Sequence, residues 1–196
     1  MVKQDRARRT HALVLDAAAA EFSALGFAST NLQVVAARTG LTKGALYGHF
    51  PSKSALAVEI TRQFEESWRE LLRCVDKETV LPLTALHALL LGLAQKIQTD
   101  VRFTAGLRLV SEEARAKGEV PEVLTELRGA MLHLAQQAQK DGDIDAGIGA
   151  EPLSHLLLSL VLGIHHTTSA GDSDSVYQRV VSAWELLLPL MRRPVR

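Results

Sequence analysis

Residues 30–53 constrain the fold of this chain more than any other stretch. They read TNLQVVAARTGLTKGALYGHFPSK, two short helical segments separated by Gly40. Thr30 and Gln33 have the spacing of a capping box, which predicts a helix that begins just after Thr30. Three residues recur at helical spacing and give this first helix an apolar face: Leu32, Val35 and Ala36.

The second segment predicts a helix over residues 43–49. Gly40 stands where a left-handed helix cap favours glycine, and Leu41 is expected to fill the core between the two helices. Thr42 is a good N-cap, and Pro51 disfavours helical geometry at the residue before it. Ala45 and Leu46 are expected to face inward, and five residues to face outward: Thr42, Lys43, Gly44, Tyr47 and His49. Two helices joined by a short glycine turn form a helix-turn-helix motif, whose second helix presents its N-terminal residues to base edges in the DNA major groove.

The charge distribution agrees with a nucleic-acid partner for the N-terminal part only. The whole chain has 22 basic and 22 acidic residues, so bulk composition predicts no affinity for DNA. Residues 1–55, however, carry seven Lys or Arg against three acids, and the remainder carries 15 against 19. Arg6, Arg8 and Arg9 are expected in an arm before the first helix, where they would contact phosphates or the minor groove. A solvated basic N-terminus is the alternative for these three residues alone.

Two stretches resemble the N-terminal domain of TetR-family transcriptional repressors. They are VLDAAAAEFSALGF at 14–27 and VAARTGLTKGALYGHFPSKSAL at 35–56. The run GLTKGALY at 40–47 is similar to the γ-butyrolactone autoregulator receptors, a branch that controls secondary metabolism in filamentous soil bacteria. RARRT at 6–10 and AGLRL at 105–109 resemble the same branch. Two positions depart from the family pattern: Thr39, where Ala is usual, and Gly48, where an aromatic residue is frequent.

The resemblance implies a DNA-binding regulator without enzymatic activity. Its partners would be double-stranded DNA with a palindromic operator and a second copy of the chain. The DNA contacts are expected from Arg6, Arg8, Arg9, Thr30, Asn31, Thr42, Lys43, Gly44, Tyr47, His49 and Lys53.

The remainder of the chain predicts helices almost throughout, and no alternating β pattern is visible. Breaks at Gly, Pro and Asp-rich turns delimit helices at 7–25, 31–38, 43–49, 53–76, 82–99, 102–116, 120–140, 151–168 and 173–191. The fold class is therefore all-α, with about nine helices. A three-helix helix-turn-helix domain over residues 1–51 would precede an effector-binding and dimerisation domain over 52–196. The helix from Lys53 would connect the two and transmit tilting to the DNA-reading helix.

The last two helices predict a dimer interface. Residues 153–164 read LSHLLLSLVLGI and residues 184–190 read WELLLPL, which are apolar on too many faces for a monomer surface. A two-fold four-helix bundle would cover them, and a symmetric dimer would match a palindromic site. An ordinary internal core is the alternative.

The family resemblance also implies a pocket for a small hydrophobic effector. The candidate lining residues are apolar: Phe64, Trp68, Leu86, Leu89, Leu90, Leu93, Phe103, Leu107, Leu124, Leu127, Met131, Leu158, Leu162 and Trp184. Each of them also fits plain core. Butyrolactone receptors typically carry a tryptophan that packs on the lactone, and alignment around Pro121 puts Leu127 at that place. The effector is therefore a γ-butyrolactone, another secondary metabolite, or absent; in the last case the protein would be an effector-independent repressor.

Other chemistry finds no support in the sequence. His165 and His166 are adjacent on a helix and point about 100 degrees apart, and no metal-binding or hydrolase motif is present, so neither metal nor cofactor is predicted. The single cysteine, Cys74, is interpreted as a small buried hydrophobe. No run of 18 apolar residues and no signal peptide is recognised, so a cytoplasmic protein without membrane contact is expected.

Overall fold

The computed structural model describes residues 2–75, 80–169 and 172–192. Within these ranges the chain forms nine α-helices and no strand, which confirms the all-α prediction. The helices are α1 (Val2–Ser29), α2 (Leu32–Thr39), α3 (Lys43–His49), α4 (Lys53–Val75), α5 (Pro82–Thr99), α6 (Val101–Lys117), α7 (Glu122–Lys140), α8 (Ala150–Thr167) and α9 (Val176–Met191). The side chain of Cys74 lies outside the described residues.

The helices form two compact units. The first comprises Met1–Ser67 and Asp100–Pro121, and the second comprises Trp68–Thr99 and Glu122–Arg196. The functional division at residue 51 stays a prediction, because compactness describes packing and not the role of a segment.

The first unit is built around the helix-turn-helix segment. α1 packs on α2 and on α6, and α2 packs on α3. The core is contributed by buried residues of five helices and by the residue that follows α3: Val14, Leu15, Ala18, Ala19, Phe22, Val35, Ala36, Leu46, Phe50, Leu56, Ile60, Ala105 and Leu109. Burial of this many apolar side chains is the dominant stabilising term for the unit. Gly106 lets α6 approach α4 closely, since a Cβ there would lie 2.2 Å from Cβ of Phe64.

The second unit consists of α5, α7, α8 and α9 with the end of α4. α5 packs on α7, α8 and α9, and α8 packs on both α7 and α9. The ring of His87 in α5 stacks on Trp184 in α9, with 4.7 Å between ring centroids. A capping box between Ser175 and Gln178 begins α9.

The N-terminal arm predicted for Arg6, Arg8 and Arg9 is wrong. α1 begins at Val2, so all three arginines lie on its first turns, with exposed side chains. No proline or glycine interrupts residues 2–25, and alanine-rich sequence favours continuation of the helix. The break expected at Gly26 is present, because this residue has φ 77° and ψ 176° within α1.

One stretch of the described residues, Asp5–Ser29, is long and apolar enough to cross a membrane. Core helices pass the same test of length and composition. Its apolar residues Val14, Leu15 and Phe22 are buried in the core of the first unit, and this packing accounts for the apolar character.

Candidate nucleic-acid interface

The α2–α3 segment has the caps that its sequence predicts. Gly40 adopts φ 67° and ψ 17°, and its amide donates to the carbonyl of Ala37 while the amide of Leu41 donates to that of Ala36. These two bonds form a Schellman motif, which ends α2 and turns the chain toward α3. Oγ1 of Thr42 accepts from the amide of Ala45 at 3.2 Å and begins α3.

Helix α3 presents most of the predicted residues to solvent. Thr42, Lys43, Gly44 and Tyr47 are exposed, and His49 is half-buried. Leu46 is 1% exposed and anchors the helix in the core. The inward orientation predicted for Ala45 is wrong, since it is exposed: a helix this short buries one narrow stripe, which Leu46 fills.

The start of α2 differs from the predicted capping box. Asn31 is the N-cap, and its Oδ1 accepts from the amide of Gln33 at 2.9 Å. Thr30 is buried, and its hydroxyl donates to the carbonyl of Gly26 at 2.7 Å. The capping role predicted for Thr30 is therefore wrong, because its hydroxyl closes the end of α1 instead. Its burial also disfavours a side-chain contact with DNA, whereas Asn31 is exposed.

Lys53 holds the turn between α1 and α2. Its ammonium donates to the carbonyls of Phe27, Ala28 and Thr30 at 2.7, 3.1 and 3.1 Å. It also lies 4.6 Å from the ring centroid of Phe27. An ammonium has three donors, and all three are used here. The role of Lys53 as a phosphate ligand stays a prediction that this geometry disfavours.

Basic residues of this unit differ in how their charge is compensated. Arg38 at the end of α2 is ion-paired at 2.8 Å with Glu21, which is buried. Nζ of Lys43 lies 6.0 Å from the ring centroid of Tyr47, one helical turn away on the exposed side of α3. Lys43 thus brings an exposed positive charge next to an aromatic ring that is 40% exposed.

A polar groove of about 650 Å³ adjoins this surface. Its walls come from the end of α1, the start of α2, Lys43 and Tyr47 of α3, and the start of α4: Ala28, Ser29, Thr30, Asn31, Leu32, Gln33, Lys43, Tyr47, Pro51, Ser52 and Lys53. Ser52 caps α4, since its Oγ accepts from the amide of Ala55 at 3.0 Å. Helix N-termini attract anions, so the starts of α2 and α4 together with Lys43 suit a phosphate. Ser29, Gln33 and Ser52 were not predicted to belong to this surface.

A carboxylate of α6 fixes the end of α1. Oε2 of Glu112 accepts from the amide of Phe27 at 2.9 Å, and its Oε1 accepts from Nε of Arg108 at 2.8 Å. Arg108 also donates to the carbonyl of Ser23 at 2.8 Å. Partial burial raises the pKa of Glu112, but the hydrogen bonds from Arg108 and Phe27 outweigh it and hold this pKa below its usual range. No local sequence signal predicts this contact, because α6 lies far along the chain.

The predicted effector-pocket residues fall in both units. Phe64, Phe103 and Leu107 belong to the first unit, where the rings of Phe64 and Phe103 meet at 5.0 Å. The others belong to the second: Trp68, Leu86, Leu89, Leu90, Leu93, Leu124, Leu127, Met131, Leu158, Leu162 and Trp184. All are buried except the half-buried Leu124 and Leu162. Residues of a filled core and residues that line a ligand site are both buried. Burial therefore does not distinguish the two, and the effector pocket stays a prediction.

The segment that carries this interface matches a known protein family. Residues 14–60, which span most of α1 through the start of α4, match the family described as bacterial regulatory proteins, tetR family. The A-factor receptor protein of Streptomyces griseus is 26% identical over 99% of this chain and 68% of that protein.

Solved structures show the same fold. CprB, a TetR-family protein of S. coelicolor A3(2), is 30% identical with a TM-score of 0.79, over 97% of this chain and 92% of that one. CprB in complex with its operator sequence is similar over 96% and 91%, with 29% identity and a TM-score of 0.74. A γ-butyrolactone receptor described as ArpA-like is 30% identical with a TM-score of 0.73, over 97% and 91%.

The fold and the capped, exposed α3 define a helix-turn-helix regulator of transcription that binds DNA. The chain belongs to the TetR family, and the predicted similarity to the butyrolactone-receptor branch is confirmed. Several of its relatives are named as HTH-type transcriptional regulators, in agreement with the prediction that it is not an enzyme.

Proposed function

We propose that this protein is a cytoplasmic repressor that binds a palindromic operator as a homodimer and is released by a small hydrophobic effector. The observation that carries the proposal is the surface of α3, which exposes Lys43, Gly44 and Tyr47, while the Thr42 cap begins the helix and the buried Leu46 anchors it. Residues 1–51 would bind DNA, and residues 52–196 would bind the effector and form the dimer.

In this proposal α3 enters the major groove. Thr42 and Gly44 lie at its N-terminal end, which faces base edges in helix-turn-helix complexes, and the ammonium of Lys43 would contact a phosphate beside them. Tyr47 and His49 would contact the flanking backbone. The exposed arginines of the first turns of α1 would add phosphate contacts: Arg6, Arg8 and Arg9. Phosphate contacts of this kind set the register of the protein on DNA without reading sequence.

Apolar surface on α8 and α9 supports the dimer. Leu156 is 49% exposed, Leu186 is 71% exposed and Leu190 is 69% exposed. Large leucines at this exposure are expected at an interface between subunits. A second copy of the chain, related by two-fold symmetry, would cover these leucines. The two α3 helices of such a dimer would then contact the two half-sites of a palindromic operator.

The similarity to an A-factor receptor and to a γ-butyrolactone receptor supports a small hydrophobic effector. Leu127 is fully buried in α7 at the place where the family resemblance implies a tryptophan. A leucine offers no aromatic ring for a lactone to pack on, so another secondary metabolite is a second candidate. An effector-independent repressor is the alternative, in which the buried residues of the second unit form a core only.

Selection of bound fragments from random double-stranded DNA tests the proposal. We expect a palindromic consensus, one or two dimers on each site by analytical ultracentrifugation, and affinity that falls steeply with salt. Repeating the selection with γ-butyrolactones and other metabolites tests the effector, which must stabilise the free protein and weaken operator binding. A monomer without salt-dependent affinity for any duplex would refute the DNA-binding mechanism. Retained operator binding with no response to any metabolite would favour the effector-independent alternative.

A further inference from the structure

Another cavity of the first compact unit has no part in the function proposed above. It lies between the end of α1, the first half of α4 and the second half of α6, and its volume is about 700 Å³. Pockets for small organic ligands have volumes of roughly 300–1,000 Å³. We call this cavity the α1–α4–α6 groove. None of its lining residues belongs to the set predicted for the effector pocket, so it would be a second site.

The walls of the α1–α4–α6 groove are one face of α4, one face of α6 and the end of α1. The lining residues of each long helix recur at the three- and four-residue spacing of a common face. The apolar members are Phe27, Ala28, Ala57, Val58, Leu109 and Ala116. Val58 is 68% exposed, so it has apolar surface that a ligand can cover. Covering such surface removes it from water and favours a ligand with a hydrophobic body.

The charged residues of the α4 wall have partners on their own helix or nearby. The guanidinium of Arg62 donates to Glu59 through Nε and Nη2, at 2.9 and 2.6 Å, and to Glu66 through Nη1. Glu65, the acidic residue of this wall, has an interaction partner as well. The described residues of the α4 wall therefore offer neither a free cation nor a free carboxylate to a ligand.

The two carboxylates of the α6 wall are also paired. Glu112 accepts from Nε of Arg108 at 2.8 Å and from the amide of Phe27 at 2.9 Å. Glu113 accepts from Nζ of Lys117 at 2.7 Å. A charged ligand would lose hydration in the groove without gaining a free counter-charge, and this loss weakens its binding. An uncharged ligand avoids that cost.

The remaining polar groups of the walls are the hydroxyls of Ser54 and Thr61. A hydroxyl both donates and accepts hydrogen bonds without carrying charge. We propose that the α1–α4–α6 groove binds an uncharged hydrophobic organic molecule with one neutral hydrogen-bonding group, such as an alcohol. The hydrophobic body would cover Val58 and Leu109, and the polar group would bond to one of the two hydroxyls.

A ligand in the α1–α4–α6 groove would act on the end of α1. It would touch Phe27 and Glu112, the two residues whose hydrogen bond fixes that end. A molecule that binds this arrangement of α1, α4 and α6 more tightly than any other shifts the population of the protein toward it. The ligand would therefore stabilise the end of α1 from which the chain enters α2.

The test uses three probes that share one ring system and differ in charge: naphthylmethanol, naphthoate and naphthylmethylammonium, all substituted at the same ring position. Each is titrated near neutral pH into the full chain in the absence of DNA. The amide NMR signal of Phe27 reports binding in the groove. We expect naphthylmethanol to bind about tenfold more tightly than either ion. An ion that binds as tightly as the alcohol, or a Phe27 signal that moves with none of the probes, would overturn the proposal. Because no DNA is present, the result is independent of operator binding.

A matched pair of variants locates the site. Val58→Gln replaces apolar surface on the groove wall by an uncharged polar side chain. Val120→Gln makes the same change at a valine of similar exposure, 72%, outside the groove. We expect Val58→Gln to weaken naphthylmethanol binding about fivefold and Val120→Gln to leave it unchanged. Both positions are exposed, so both variants should fold. Equal affinity of the two variants would place binding elsewhere and overturn the proposal.

Discussion

The amide of Phe27 donates a hydrogen bond of 2.9 Å to Oε2 of Glu112, although the two residues are 85 positions apart. The same carboxylate occupies the space beside Gly26, where a Cβ would lie 2.1 Å from Oε1 of Glu112. Gly26 has φ 77°, a conformation that other residues rarely adopt. The position of α6 therefore determines where α1 ends and where the approach to α2 begins.

Replacement of Glu112 tests the importance of this contact for stability. Glu112→Ala removes the acceptor of the Phe27 amide and the partner of Arg108, and we expect the free energy of unfolding to fall by about 1 kcal/mol. Urea denaturation measures the change. The control is Glu113→Ala, which removes a 66% exposed carboxylate paired with Lys117 and should alter stability by less than about 0.5 kcal/mol. Equal effects of the two variants would contradict the role of Glu112.

Lys43 and Lys53 are expected to act differently despite their common charge. Lys43 is exposed on α3, so Lys43→Ala should weaken binding to every DNA sequence and lower the salt slope by about one. Lys53→Ala removes three hydrogen bonds to backbone carbonyls and should lower the melting temperature of the free protein. Fluorescence anisotropy over a salt series and thermal melting separate the two effects. A wild-type salt slope for Lys43→Ala would exclude it from the phosphate contacts.

The ends of the helices near the interface could be predicted from the sequence, because each end is determined by residues only a few positions away. Thr42, Gly40 and Pro51 determine where α2 ends and where α3 begins and ends, and the structure has α3 at the predicted residues. Such caps depend on hydrogen bonds between residues a few positions apart. The same reasoning located the break at Gly26.

Contacts between distant residues could not be predicted in the same way. The sequence shows Lys53 as one more cation near a basic motif, and only the folded chain brings its ammonium to the carbonyl of Phe27 at 2.7 Å. Thr30 has the spacing of a capping residue, but Asn31 competes for that role and the Thr30 hydroxyl bonds to Gly26. Local propensity does not decide between two adjacent capping residues, because packing of the preceding helix selects one.

Tyr47 tests whether the exposed side of α3 contacts DNA. Its ring is 40% exposed, whereas Leu46, which is 1% exposed, anchors α3 in the core. Tyr47→Ala should therefore weaken operator binding, by about 1–3 kcal/mol if Tyr47 is a central contact. The melting temperature of the free protein should stay close to that of the wild type. An electrophoretic mobility shift identical to the wild type would remove Tyr47 from the interface.

Two helical glycines should respond oppositely to alanine. At Gly48 of α3 an added Cβ would have no atom within 4 Å, so Gly48→Ala should stabilise the protein by about 1 kcal/mol through helix propensity. At Gly106 of α6 the Cβ would lie 2.2 Å from Cβ of Phe64, so Gly106→Ala should destabilise it by about 1–3 kcal/mol through overpacking. Urea denaturation of both variants measures the signs. A destabilised Gly48→Ala would contradict the open space beside α3.

The stacked pair His87–Trp184 predicts a loss of stability in acid. Burial lowers the pKa of His87 below 6.5, and the charge of Glu185 opposes this only in part. The folded protein thus favours the neutral ring, whereas the unfolded chain takes up a proton near pH 6.5. The contribution of His87 to stability is complete above pH 6.5 and is lost as the pH falls below it. His165, whose pKa is lowered by burial and by His166, contributes in the same direction.

His87→Gln isolates the contribution of His87 to the pH dependence of stability, because glutamine keeps a polar side chain that does not titrate. The free energy of unfolding of the wild type, measured by urea denaturation between pH 7.5 and pH 5, should fall more steeply than that of the variant below about pH 6.5. Above that pH the two curves should run parallel, with a constant offset from the lost stacking on Trp184. Curves that remain parallel down to pH 5 would mean that His87 takes up its proton equally in the folded and unfolded states, which its burial against the indole ring opposes.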